Sequence, residues 1–359
     1  MSSTSVTEVQ VREALAGFPD PETGRDAIEM NQLLDVRVDG GRVSIRFAVT
    51  THSFPIWADV QQSLIDRIKQ RLSQVDDVQV ERAEHGRPAP RAGEMGIPVR
   101  SVITVGSGKG GVGKSTVSTS LAFALNRMGA KVGILDADVY GPSVPHLTGT
   151  MDQAPRAQQG LPAVVDGVSV MSIGYLVPAD QAVVWRGPLL HRSITQMLGQ
   201  TQWGELDYLV IDMPPGTGDV ALTLSQIIPT TGAVVVCTPQ EVALLDAVKA
   251  ISMFRTVNIP ILGMVENMSG FLCPDCNKKY DIFGSGGARA KAMEMDVPFL
   301  GEIPINIGIR ESGDNGSVAS IVQDPVVAPY FEKLAYNLVR NIAMMAEKEP
   351  PQTQLPVLG

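Results

Sequence analysis

Between about Val6 and Glu81 short apolar and polar alternations dominate the chain. Residues 34–38 and 43–49 alternate on either side of Asp39-Gly40-Gly41, which predicts a hairpin. Val60, Leu64, Ile65, Ile68 and Leu72 then recur at helical spacing within 57–72, and Val78-Gln79-Val80 reads as a short strand. Together these describe a small α+β unit. From 82 to 98 the period disappears among Gly86, Pro88, Pro90, Gly93, Gly96 and Pro98, as in an exposed linker. Past Val99 the apolar runs become continuous, at 101–105, 131–136, 208–212, 232–238, 261–267 and 299–303, with helical stretches between them. Continuous runs mark strands covered on both faces, so this region is predicted to be α/β, a mostly parallel sheet flanked by helices. A further hairpin at 163–173, turning at Asp166-Gly167, interrupts the alternation, and beyond Glu347 the chain is polar and Pro-rich like a frayed tail. The expected division is a first domain at 1–86, a linker at 87–98, an α/β domain at 99–346 and a flexible tail at 347–359.

A length of 359 residues fits two domains, and 44% hydrophobic with 19% charged residues excludes disordered and fibrous classes. The formal charge of -9 gives no global attraction to nucleic acid or an anionic bilayer, so neither is expected as a partner. Runs such as 232–237 fall far short of the roughly 20 apolar residues of a membrane span. The start shows no leader pattern and 3 cysteines make no disulfide framework, which predicts a reducing, cytoplasmic setting.

The strongest chemical signal is Gly108-Lys109-Gly110-Gly111-Val112-Gly113-Lys114-Ser115-Thr116, a full P-loop pattern between the strand at 101–105 and a helix at 115–128. Its glycines let backbone N–H groups turn toward phosphate oxygens at a helix N-terminus, Lys114 reaches the β- and γ-phosphates, and the Ser115 hydroxyl is placed for Mg²⁺. Two strand-end carboxylate motifs follow. Asp136-Ala137-Asp138 runs into Val139-Tyr140-Gly141-Pro142-Ser143, and Asp212 precedes Met213-Pro214-Pro215-Gly216-Thr217-Gly218-Asp219. Both stand at the carboxyl edge of the predicted sheet, where the γ-phosphate would lie, while Asp219 reads as an N-cap.

Cys273-Pro274-Asp275-Cys276 can bring two thiolates to one metal, yet Zn²⁺ or an iron-sulfur cluster takes four such ligands. Cys237, inside Val234-Val235-Val236-Cys237, reads as a core residue, and His52, His85, His146 and His191 show no ligand spacing with the pair. Two copies of the chain about a two-fold axis would complete a four-cysteine site.

The second lysine of the loop, Lys109, occupies the place of the signature lysine in the deviant Walker A loop of MinD/ParA-type ATPases, which the chain resembles. The resemblance implies that Lys109 reaches across a nucleotide-sandwich dimer to the partner's phosphates. It likewise implies that Asp138 orients the attacking water, Asp212 holds Mg²⁺ through water and Asn267 contacts adenine. With Trp185-Arg186-Gly187-Pro188, Glu266-Asn267-Met268-Ser269 and the cysteine pair, residues 99–346 resemble the Mrp/ApbC-type iron-sulfur cluster carriers. Asp20-Pro21-Glu22-Thr23-Gly24-Arg25-Asp26 makes the first module similar to the iron-sulfur-assembly domain often fused in front of them. That module departs from the pattern at Thr50-Thr51-His52-Ser53-Phe54-Pro55, where many relatives carry a cysteine before the proline. Lacking one, it reads as a docking or regulatory domain.

What the resemblance implies is a homodimer that binds ATP and Mg²⁺ at Gly108 to Thr116 and hydrolyses ATP slowly, with Lys109, Lys114 and Asp138 as catalytic groups. It implies too a 4Fe-4S cluster on Cys273 and Cys276, received from a scaffold and passed to apo-proteins, with ATP acting through switch II. Two other readings stay open at this level. One is a MinD/ParA-type positioning ATPase, against which the tail and the charge weigh; the other is a P-loop dimer bridged by structural Zn²⁺.

Overall fold

The computed structural model describes residues 6–176, 187–216, 218–276 and 278–348. Trp185 and Arg186 of the Trp185-Arg186-Gly187-Pro188 motif, Thr217, Asn277 and the tail from 349 lie outside them. The chain forms two compact units, one of residues 1–87 together with 339–359, the other of residues 88–338.

The first unit contains α1 (Glu8–Leu15), β1 (Leu33–Asp39), β2 (Arg42–Val49), α2 (Trp57–Arg71) and β3 (Asp77–Glu84). β1 and β2 pair antiparallel across the expected turn, and β3 lies parallel to β2. A parallel partner requires a crossover, which α2 supplies. Val43, Ile45 and Phe47 of β2 and Leu64 and Ile68 of α2 are buried in its core. α1 leaves little trace in the pattern, since its buried stripe is only Val11, Ala14 and Leu15, and its start is fixed by a Thr7–Gln10 capping box. The Asp20 to Asp26 motif builds a buried knot. Asp20 accepts from Gln32 Nε2 at 2.8 Å and pairs with Arg87 at 3.1 Å, and Glu22 pairs with the same guanidinium at 2.8 Å.

The second unit begins with β4 (Arg91–Ala92), β5 (Ile97–Gly106), α3 (Lys114–Arg127) and β6 (Val132–Asp136), then two single-turn helices, α4 (Val144–Leu147) and α5 (Ala154–Ala157). It continues with β7 (Ala163–Val165), β8 (Val168–Ser172), α6 (Gly187–Gln200), β9 (Leu206–Asp212), α7 (Gly218–Ile227), β10 (Gly232–Cys237) and α8 (Glu241–Thr256). β11 (Ile261–Leu272), β12 (Lys279–Tyr280), α9 (Gly287–Glu294), β13 (Phe299–Ile305), α10 (Ile307–Asp314) and α11 (Ala328–Lys348) complete it, with α11 counted in the first unit from Val339 on.

Among the described residues the sheet has ten strands in the order β12-β11-β10-β5-β9-β6-β8-β7, with β13 on β11 and β4 on β5. The pairs from β11 to β8 are parallel, and β10, β5, β9 and β6 are almost wholly buried, as continuous apolar runs require. Three expectations change. The stretch read as a linker carries β4 and the start of β5, because Arg91 and Ala92 pair back onto Pro98 and Ile97. The hairpin at 163–173 joins the sheet, since β8 lies parallel beside β6. β11 runs on to Leu272, past the expected end at 267 and up to the first cysteine of the pair.

Candidate functional site

β5 ends at Gly106 and α3 starts at Lys114, so the P-loop spans the carboxyl edge of the sheet between them. Gly113, the N-cap of α3, has φ +79° and no side chain caps the helix. The first-turn N–H groups are therefore left to the loop and to whatever occupies it. Asn267 Nδ2 donates to Val112 O at 2.8 Å, and a Cβ on Gly113 would overlap that same amide nitrogen. The expected adenine-contacting asparagine thus also buttresses the loop. The loop residues Lys109, Gly110, Gly111, Gly113, Lys114, Ser115 and Thr116 line a cleft of about 310 Å³ together with Asp138. Val112 is buried behind it and Gly108 packs on the backbone of Asp246.

Parallel register sets Asp136 and Val105 on either side of Asp212, at the ends of neighbouring strands. Lys114 Nζ meets this edge from the loop, 2.8 Å from Asp212 and 3.3 Å from Asp138. Ser115 Oγ donates to the other oxygen of Asp212 at 2.6 Å, and Ser118 Oγ donates to the oxygen shared with Lys114 at 2.8 Å. Burial works against the charge on Lys114, but Asp212 and then Asp138 more than offset it and raise its pKa. One oxygen of Asp138 accepts from Tyr140 N and Gly141 N, both at 3.2 Å, which leaves the other toward Lys114. Asp136 is fully buried. Burial and then the charge of Asp212 push its carboxyl up to about 8, against bonds from Asp138 N at 3.1 Å and Ser172 Oγ at 2.9 Å.

A second cavity of about 550 Å³ adjoins the cleft through Gly113 and Thr116. His146, Asn267, Met268, Phe283, Pro304 and Arg310 are among its walls. The cleft with its cations suits phosphates; the mainly apolar cavity beside it suits a nucleoside.

Cys273 and Cys276 lie in the turn of the β11–β12 hairpin, where Phe271 pairs with Tyr280 and Leu272 with Lys279. Cys273 N donates to Lys278 O at 3.0 Å. Cys273 is half-buried and Cys276 exposed. The backbone N–H groups of Asp275 and then Cys276, aimed at the Cys273 sulfur, lower its pKa. Among the described residues no third Cys, His, Asp or Glu joins them in metal-holding geometry. Cys237 is 1% exposed, and burial followed by the charge of Glu266 pushes its thiol up to about 12, so it sits in the core as its apolar strand implied. Asp219, read from sequence as an N-cap, is the second residue of α7 and lies inside its first turn.

The sequence reading passed over four participants. Asp136 was visible as the first carboxylate of the strand-end motif, but only register shows it beside Asp212. Glu266 accepts from Ser269 Oγ, Gly286 N and Ala288 N, at 2.7, 2.8 and 2.7 Å, and so ties β11 to the start of α9. Phe283 and the segment 303–314 form the cavity wall; the glycines at 284, 286 and 287 were the signal that something there needed close turns.

Residues 98–339 match the family described as NUBPL iron-transfer P-loop NTPase, and residues 8–81 match an iron-sulfur cluster assembly protein family. The iron-sulfur cluster carrier protein of Deinococcus radiodurans is 43% identical over 350 residues, 96% of this chain and 98% of that one. Its counterpart in Synechocystis is 42% identical over 353 residues, 95% and 99% of the two chains. A solved nucleotide-binding protein from Archaeoglobus fulgidus, in complex with ADP, shares 41% identity at a TM-score of 0.54, over 65% of this chain and 92% of that one.

Proposed function

Because this chain belongs to the iron-sulfur cluster carrier family of P-loop NTPases, we propose that it is a cytoplasmic, ATP-dependent carrier that passes a 4Fe-4S cluster to apo-proteins. One observation carries the reading: a single strand, β11, supplies Asn267 and Met268 to the nucleotide cavity and ends at the thiol pair. The phosphates lie along the loop from Gly108 to Thr116, where Lys114 exchanges part of its pairing with Asp212 and Asp138 for β- and γ-phosphate oxygens. Mg²⁺ would be held by Ser115 Oγ with Asp212 behind it through water, and would offset phosphate charge. The fit rests on the 2.6 Å contact that already sets this hydroxyl against that carboxylate. Asp138, pinned by two backbone donors, orients the attacking water, and the adenine lies against Asn267 and Met268. Lys109, at the mouth of the cleft, reaches the phosphates of a second copy.

The cargo is bound by ligand count. Two thiolates per chain make half of a four-thiolate site, so the carrier works as a homodimer with the cluster on the two-fold axis, loaded from a scaffold. Turnover is slow and coupled to loading or release. The test is anaerobic reconstitution with iron and sulfide analysis and native mass spectrometry. It should give about one 4Fe-4S cluster per two chains. Cys273→Ser and Cys276→Ser should each lose the cluster, while Cys237→Ser keeps it in whatever protein folds. A cluster on the double variant or on a strict monomer, or colourless protein holding only Zn²⁺, overturns the reading.

A further inference from the structure

β11 is not a straight rod between the nucleotide cavity and the cysteines. Its pairing with β13 jumps from Asn267–Ile303 to Phe271–Ile305, so residues 268–270 form a bulge. Met268 in that bulge has φ +58° and Gly270 φ +76°. A left-handed methionine is strained and persists only where the surroundings hold it, so the bulge is a built break in the ladder that turns the strand toward the hairpin. Everything beyond it, the β11–β12 hairpin with both cysteines, is carried as one piece by the Phe271–Tyr280 and Leu272–Lys279 pairs.

The hairpin is held a second time from its far end. Ile282 N donates to Tyr280 O at 3.0 Å and Gly284 N to Asp281 O at 3.2 Å, so two tight turns lead straight from β12 to Phe283. Phe283 then enters the wall of the 550 Å³ cavity, which it shares with Pro304, Ile305 and Arg310. A phenylalanine that is 43% exposed has gained little from burial, and an open aromatic face on a nucleoside-sized cavity is suited to a purine. Immediately after it, Gly286 N and Ala288 N are fixed on the buried Glu266 of β11. Ser269 Oγ, in the bulge, bonds Glu266 at 2.7 Å and Glu302 at 3.2 Å, and Glu302 pairs with Lys279 of β12 at 2.9 Å. One closed circuit thus joins cavity wall, bulge and cysteine hairpin.

The geometry points to Phe283 as a nucleotide-binding residue that also positions the cysteine hairpin: a purine seated against Met268 and Phe283 holds the β11–β12 hairpin from both of its ends at once. This rests on the nucleotide reading above and relocates the coupling from switch II to the β11–β12 hairpin. Phe283 is a positioning residue for the thiols, which it does not touch. By linkage, what the nucleotide does to the hairpin is returned as a change in nucleotide affinity when the hairpin is engaged.

The test is hydrogen exchange of the full-length protein over residues 269–280, with and without saturating ADP-Mg²⁺, alongside the ADP dissociation constant. In the wild type, ADP should slow exchange there by about tenfold. Phe283→Ala should bind ADP about threefold to tenfold more weakly, and at saturation should leave hairpin exchange unchanged. Phe283→Tyr, which keeps the ring, and Ile282→Ala, which removes the exposed neighbour, should both behave as wild type. If wild type binds ADP without slowing the hairpin, or Phe283→Ala retains the slowing at saturation, the relay is wrong and nucleotide binding still stands. If wild type fails to bind ADP-Mg²⁺, the nucleotide reading falls and the relay with it.

Discussion

Asp136 and Asp212 stand in register on adjacent strands, both fully buried, and Lys114 is the cation that makes this arrangement tolerable. Replacing Lys114 by Ala should therefore have two effects. Loss of the phosphate contact should weaken ADP-Mg²⁺ binding about tenfold to a hundredfold by calorimetry, since charge-assisted bonds carry about 1.5–3 kcal/mol. The carboxylates left behind should lower stability by about 3 kcal/mol in nucleotide-free urea titrations, the cost of stranding a buried partner. The pair also sets a pH dependence. Asp136 titrates at about 8 in the fold against 3.8 for an ordinary carboxyl, so between these values the folded chain binds more protons than the unfolded one. Its contribution is complete below the lower value and is lost as pH rises through the upper. Unfolding free energy should accordingly fall from pH 5 to pH 9, and Asp136→Asn should flatten that slope; an unchanged slope would remove the assignment. The P-loop residues were legible in sequence because their chemistry is local. The partnership of Asp136 with Asp212 was not, because it is a property of strand register across a long separation in the chain.

Elements were legible where they are long and apolar. β5, β9 and β10 fall where the continuous runs predicted, because strands buried on both faces leave no polar interruptions. β11 was cut short at Asn267 because Asn267 and the Ser269-Gly270 that follow carry turn chemistry, and here residues 268–270 build a bulge within a strand that continues. That continuation carries the strand from the cavity wall at Asn267 and Met268 to the residue before Cys273, and no periodicity announced it. The α3 start offers a sharper test of how element geometry sets the site. Gly113 holds φ +79° with the Asn267 amide packed where a Cβ would go, so Gly113→Ala meets both a left-handed penalty and a displaced buttress. Stability should drop by about 1–3 kcal/mol, and ADP binding should weaken by more than that loss explains, since Asn267 leaves Val112 O. Gly111, also left-handed but with open space at its Cβ position, should tolerate Ala with a milder defect.

At the scale of the whole chain the sequence reading sets a linker at 87–98 between a first domain and an α/β domain ending at 346, and the compact units divide between Arg87 and Pro88 and again between Leu338 and Val339. The far boundary was invisible. α11 reads as one amphipathic helix, yet from Val339 its residues belong with the first unit, where Val339 and Ile342 are 1% and 5% exposed. Periodicity reports which face of a helix is apolar and is silent on which body covers it. A cut that removes residues 1–87 but keeps the chain through 348 should therefore uncover these side chains, while a cut to 88–338 should not. The shorter fragment should keep the cleft, the nucleoside cavity and the cysteine hairpin, all of whose residues fall within it. It should remain dispersed in size-exclusion chromatography and bind ADP within about threefold of the full chain, a difference of less than 1 kcal/mol. The longer fragment should aggregate or melt earlier, because buried aliphatic side chains of this kind lose about 1.5–3 kcal/mol each when returned to water. Restoring residues 1–87 as a separate chain should then rescue it, since these residues belong to the same compact unit as 339–348. Equal behaviour of the two fragments would show that α11 beyond Leu338 draws no stability from the first unit.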